Sequence, residues 1–158
     1  MIGNYLQILQ DSLVKKLELL TQIEEKSKEQ KQMIKASEVD LEAIDANMDE
    51  KNILIQEVLK LDDGFESLYQ RIRTELADHK DEYKSEIAEI KDLISKVTEK
   101  SASIRAIEAR NKSEMDLYFG NQKKSIKVQK NAMSVARDYY QNMNKVKSVS
   151  PQFLDQKK

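Results

Sequence analysis

The chain has no cysteine and no tryptophan, one proline, one histidine and three glycines. Without cysteine there is no disulfide framework, no thiol nucleophile and no thiolate metal site. A lone histidine, His79, cannot supply the repeated Glu-x-x-His ligands of a helical di-metal site. So few glycines and prolines cannot punctuate strands and tight turns, which leaves nearly all of the 158 residues free to be helical. No run of about 18 apolar residues occurs, so no membrane insertion is expected. The opening stretch, Ile2 to Leu20, is amphipathic where a signal peptide would be continuously apolar. Asp62-Asp63-Gly64 lacks the ligand spacing of a calcium loop, with Gln70 where its closing Glu would stand. There is no Gly-rich phosphate loop and no nucleophile elbow, and the carboxylates interleave with lysines as on a solvated helix face. No enzymatic activity, no cofactor and no metal are expected, and a cytoplasmic setting suits this composition.

What is present is a long apolar period. Leu41, Ile44, Met48, Ile55, Val58, Phe65, Leu68, Ile72, Leu76, Tyr83, Ile87, Ile90, Ile94, Val97, Ile104 and Ile107 fall on one side of an α-helix. Unbroken, that helix would be on the order of 100 Å long at a rise of 1.5 Å per residue. Gly64 is its one soft place, where Asp62 or Asp63 could cap a new helix. The apolar phase passes from Val58 to Phe65 and Leu68 unshifted, which favours a continuous helix with a kink over a break. His79 reads as a stripe or surface residue between Leu76 and Tyr83. An earlier helix runs from about Gly3 to Ala36, with Leu6, Leu9, Leu13, Leu17, Leu20 and Ile23 as its stripe. Glu24 to Gln32 has no apolar side chain and reads as a solvated length of helix near a hairpin tip, with a charged docking surface as the alternative. Ser37 reads as the cap of a helix starting near Glu38. A turn this short makes neighbouring helices antiparallel. The expected fold is all-α: an elongated antiparallel helical hairpin or bundle of three to four long helices, coiled-coil-like. A second copy could also cover the stripe, so a homodimer stays open.

Past Ala109 the stripe weakens, and Asn111 falls where an apolar residue is due. The chain divides into a hairpin or bundle over 1–112, a distinct helical segment over 113–144, and a flexible tail over 145–158 that has no period and contains Pro151. The middle segment is rich in methionine and aromatics: Met115, Leu117, Tyr118, Phe119, Ile126, Met133, Tyr139, Tyr140 and Met143. Two readings stand. It is a further bundle helix with an ordinary core, or it is a partner-binding face for an amphipathic helix, for which adaptable methionine is suited. Leu117, Tyr118 and Phe119 are consecutive, so at least one must face away from a core or the helix must break at Gly120; this tilts toward partner binding. Charge is also uneven. Residues 1–110 carry 17 Lys/Arg against 24 Asp/Glu, whereas residues 111–158 carry 10 against 4. The cluster Lys123, Lys124, Lys127 and Lys130 lacks the arginines and interleaved aromatics of a nucleic-acid surface. It reads as a solvated face or as a patch that meets an acidic protein partner.

Three stretches resemble the flagellar export chaperone FlgN family. They are Tyr5-Leu6-Gln7-Ile8-Leu9; Met48-Asp49-Glu50-Lys51-Asn52-Ile53-Leu54-Ile55 with Leu61-Asp62-Asp63-Gly64-Phe65-Glu66-Ser67-Leu68-Tyr69; and Tyr139-Tyr140-Gln141-Asn142-Met143 with Pro151-Gln152-Phe153-Leu154-Asp155. The resemblance implies a small cytosolic all-α protein that binds the C-terminal helices of hook–filament junction proteins. Such a protein prevents premature assembly and delivers them to the flagellar type III export apparatus. It further implies that the C-terminal region does the binding and that a tyrosine there docks to the export gate, with Tyr118, Tyr139 and Tyr140 as candidates. The alternatives are the related chaperone of the filament cap protein and a structural coiled-coil scaffold that dimerises.

Overall fold

A computed structural model describes residues 2–121 and 136–146. It contains α1 (Ile2–Lys35), α2 (Leu41–Asp78), α3 (Lys84–Asn121) and α4, described over residues 136–144. The architecture is an all-α helical bundle with no strand among the described residues. None of its described helices is long and apolar enough to cross a membrane.

Two expectations about helix ends are overturned. Ser37 and Glu38 lie in the connection after α1, and the cap of α2 is Asp40, with extended backbone at φ −91° and ψ 99°. Its side chain accepts hydrogen bonds from the amides of Glu42 and Ala43, each at 3.1 Å. A cap belongs immediately before the first residue of the apolar period, here Leu41, and contributes about 1 kcal/mol.

The second correction is larger. The stretch from Leu41 to Ile107 is not one helix but two antiparallel ones, and the break is not at Gly64. Gly64 sits exposed inside α2, held between the buried Val58 and Phe65. The turn falls at residues 79–83, where the His79 amide bonds the Leu76 carbonyl at 3.0 Å and the Glu82 amide bonds the His79 carbonyl at 3.1 Å. His79 is therefore the exposed C-cap of α2, its Nδ1 3.3 Å from Glu82, which is the surface alternative of the two readings and not the stripe. From Ala77 to Glu82 no large apolar side chain needs burying, so nothing holds that length of helix against a neighbour. Each of the two helices has 38 residues and is about 57 Å long.

α1 lies along both partners, while α2 and α3 approach one another only slightly. It is antiparallel to α2, as the Lys16–Asp62 pair and the Asn47 bond to the Lys26 carbonyl show. It is parallel to α3: Gly3 lies beside Tyr83, Glu24 beside Lys100 and Gln30 beside Met115. A helix facing two neighbours needs a wide apolar face. Leu19 and Leu20 are accordingly both buried, and Leu17 only partly. The gap between α2 and α3 is a trough, and α4 occupies it at the end formed by the α1 C-terminus, the start of α2 and the end of α3. Asn142 of α4 donates to Asn52 of α2 at 2.7 Å, and the Tyr140 ring of α4 lies 5.7 Å from the Lys112 ammonium of α3.

Candidate functional site

The polar run Glu24–Gln32 is solvated on one face only, through Glu25, Lys28, Glu29 and Gln32. Ser27 and Gln30 are completely buried, and they form one side of a polar cluster beneath α4. The Ser27 hydroxyl bonds the Ile23 carbonyl at 2.9 Å and also meets Glu108. The Lys51 ammonium, fully buried, donates to the two Glu108 oxygens at 2.9 and 3.2 Å and to the Gln30 side-chain oxygen Oε1 at 2.5 Å. The Gln30 amide nitrogen lies 3.2 Å from the Met48 sulfur and 3.0 Å from the Met115 sulfur. Asn111 donates to the Ser27 carbonyl at 2.9 Å. Burial pulls the Lys51 pKa down, against the opposing pull of Glu108. A second buried pair, Lys16 with Asp62 at 2.5 Å, joins α1 to α2 further along the bundle.

These residues obey the same period as the core. The buried seam of α2 runs Ile44, Met48, Lys51, Ile55, Val58, Asp62, Phe65, Tyr69, Ile72 and Leu76 in steps of three or four, with Asn47 buried beside Met48. In α1 the period passes through Lys16, Ser27 and Gln30, and in α3 through Ser101, Glu108 and Asn111. Apolar residues are missing from the stripes only where a polar residue takes the seam position. Complementary charge at matching gaps, Lys51 opposite Glu108 and Lys16 opposite Asp62, was the signal that could have found them. Only Asn111 stands out when a single helix is read alone.

α4 closes the cluster. The Tyr139 ring covers the Lys51 ammonium at 4.5 Å, close enough for a cation–π contact. Tyr139 packs edge to face on Tyr140, with ring centroids 5.4 Å apart. Both hydroxyl oxygens are buried, and neither has a hydrogen-bond partner of ordinary geometry. Ser27 lies beside Tyr139, but its hydroxyl is already engaged by Ile23 and Glu108. Burial pushes both phenol pKa values above their ordinary value, and the Glu108 charge adds to the effect. An unsatisfied buried hydroxyl costs about 1–3 kcal/mol. The seating of α4 thus rests on apolar burial of Ala136, Tyr139, Met143 and Val146, offset by two unpaired phenols.

The nine residues read as a partner-binding face separate into groups. Met115, Tyr139 and Met143 are core side chains. Tyr118, Phe119 and Tyr140 are half-buried, and Leu117 is 64% exposed. Ile126 and Met133 lie outside the described residues, as do Lys123, Lys124, Lys127 and Lys130. Of the consecutive trio, Leu117 is the residue that faces solvent, and α3 continues through Gly120 to Asn121. α3 also crosses residues 112 and 113 without interruption, and Val146 is buried. Phe119, Met115, Ala136 and Tyr140 line an open groove of about 330 Å³ between α3 and α4, rimmed by Lys112, Asp116 and Arg137. Among the described residues, no three His, Asp or Glu side chains gather as metal ligands would. Comparison with protein-family models, with curated proteins and with solved structures returned no match.

Proposed function

We propose that this chain is a cytoplasmic flagellar export chaperone of the FlgN kind, which covers the C-terminal amphipathic helix of a hook–filament junction protein until export. The observation that supports this reading most is the trough between α2 and α3. It already receives one amphipathic helix, α4, over a cluster that leaves two phenols unpaired. A partner helix that adds apolar contact along the α3–α4 groove, or that supplies acceptors for those phenols, would gain what the free protein lacks. A junction protein's terminal helix has an apolar face meant for its assembled neighbours, and reversible covering of that face keeps it from polymerising early.

The site is then the α3–α4 face, with Phe119, Tyr118 and Tyr140 as the contacts accessible in the free protein. For docking to the export gate, Tyr118 and Tyr140 are better placed than the fully buried Tyr139. The scaffold alternative is weakened because α1 already fills both of its long seams within one chain. Calorimetry of the full chain against the C-terminal regions of its host's junction proteins tests the proposal. One-to-one, saturable binding is expected, weakened about tenfold or more by Phe119→Ser with Tyr140→Ser. Preferential binding of the filament cap protein would move the assignment to the related chaperone. Absence of cargo binding with a stable self-dimer would favour the scaffold.

A further inference from the structure

The opposite side of α3 carries a second groove, of about 260 Å³, between α3 and the C-terminal end of α1. Its apolar elements are Ile34, half-buried against the core, and Leu117, which at 64% is the most exposed large hydrophobic residue described. Around them stand Lys31 and Lys35 from α1 and Arg110 and Glu114 from α3. Lower on the same seam the charges are matched across the helices. Glu24 of α1 accepts from Lys100 at 3.0 Å and from Ser103 at 2.8 Å of α3. Burial alone would raise the Glu24 pKa, but those two donors outweigh it and hold the carboxyl below its usual range. At the groove the pattern reverses. Cations outnumber carboxylates three to one: α1 presents Lys31 and Lys35, α3 presents Arg110 and Glu114, and among the described residues none of the three cations is within ion-pair distance of a carboxylate. Like charges facing each other across a helix seam oppose its packing. The same charges around an exposed leucine suit a ligand of opposite sign.

We infer that the α1–α3 groove is a docking surface for an acidic amphipathic helix of a partner protein, with an aliphatic residue seated against Leu117 and Ile34 and carboxylates paired to Lys31, Lys35 and Arg110. The chain's own remaining segments have the wrong sign to fill it. Residues 122–135 contain four lysines and no Asp or Glu, and residues 147–158 carry three lysines against one aspartate. A second copy offers a weaker match, the exposed Ile53 of α2 beside Asp49, Glu50 and Glu57, with Glu50 already paired to Lys26. This surface lies on the other side of α3 from the α3–α4 groove and does not depend on the chaperone reading.

The test uses the full chain and a fluorescent helical peptide of about twenty residues, roughly 30 Å long, with leucines on one stripe flanked by glutamates. A control peptide carries lysine at each glutamate. Fluorescence anisotropy should show binding of the acidic peptide alone, falling about tenfold or more between low and high salt as the exposed pairs are screened. Lys31→Glu with Arg110→Glu should weaken it by a similar factor and Leu117→Ser several-fold, while Phe119→Ser with Tyr140→Ser leaves it unchanged. All of these substituted positions are exposed or half-buried, and a circular dichroism melt of each variant verifies the fold. Equal binding of the two peptides, or acidic-peptide binding indifferent to Lys31→Glu with Arg110→Glu, would overturn the inference. So would concentration-dependent self-association removed by that double variant, which would make a second copy the occupant.

Discussion

The two ends of the bundle are built on one period but with different chemistry. At the end holding the α1 N-terminus, the seams are Leu6, Leu9 and Leu13 against Tyr69, Ile72, Leu76, Ile87 and Ile90, all buried. At the other end the same seam positions are Ser27, Gln30, Lys51, Glu108 and Asn111, with α4 laid over them. Apolar layers stabilise in proportion to area and tolerate sliding. Charged layers add little net stability but penalise every register in which a partner is missing. The second end selects one alignment of three helices and one seat for the fourth.

The largest effect should come from breaking that second end on one side only. Glu108→Ala leaves the buried Lys51 ammonium without its counter-ion, and denaturant unfolding should show a loss of about 3–5 kcal/mol. Lys51→Met combined with Glu108→Leu removes both charges, makes the two ends alike, and should be neutral or stabilising by up to about 4 kcal/mol. If the polar layer sets alignment, that variant should also show broadened or doubled amide resonances, which the parent chain would not. The pair together separates a role in stability from a role in register.

A smaller effect is expected at the α4 contact. Tyr139→Phe keeps the ring over Lys51 and deletes an unpaired hydroxyl, so stability should rise by about 1–3 kcal/mol. It should also change the alkaline limb of the stability curve. A buried phenol whose pKa is raised on folding stays protonated while the unfolded chain ionises. Its contribution is complete below the ordinary value of 10.0 and is lost as pH rises above it. Tyr69 and Tyr140 act in the same direction. Lys51 acts oppositely: its folded pKa is depressed, so stability from that group rises as pH climbs from the depressed value toward 10.5. With three phenols against one ammonium, melting temperature should fall above pH 10, and less so in Tyr139→Phe. The smallest change is Gly64→Ala, between the two ends. Beyond the adjoining residues and the helix's own backbone, no atom lies within 4 Å of the added methyl group. A gain of about 1 kcal/mol in chemical denaturation is expected, the helix propensity difference alone.

How much of this was legible in the residues varied by position. Helix one, the stripe of α2 and the stripe of α3 could be read from the apolar spacing, and so could the oddity of Asn111. The hairpin at residues 79–83 could not. Leu76 and Tyr83 are seven residues apart, one heptad, so the apolar phase runs through a reversal of chain direction as smoothly as through a helix. Gly64 attracted suspicion because propensity is local, yet about 1 kcal/mol of propensity yields to the buried side chains on either side. The groove residues Phe119, Leu117 and Tyr140 were singled out on composition. Their separation onto two sides of α3 required knowing where α1 and α4 lie.

By itself the sequence determined that the chain is helical, that its helices are long and narrow-seamed, and that its charge is divided between an acidic body and a basic end. Those properties follow from composition and period, which act within a few residues. The tertiary structure alone decided that α1 sits between α2 and α3, that Lys51 and Glu108 meet in the core, and that Tyr139 covers them. Each of those facts joins residues dozens of positions apart, and a lysine at a seam position looks like any surface lysine until the helix bringing its counter-ion is in place.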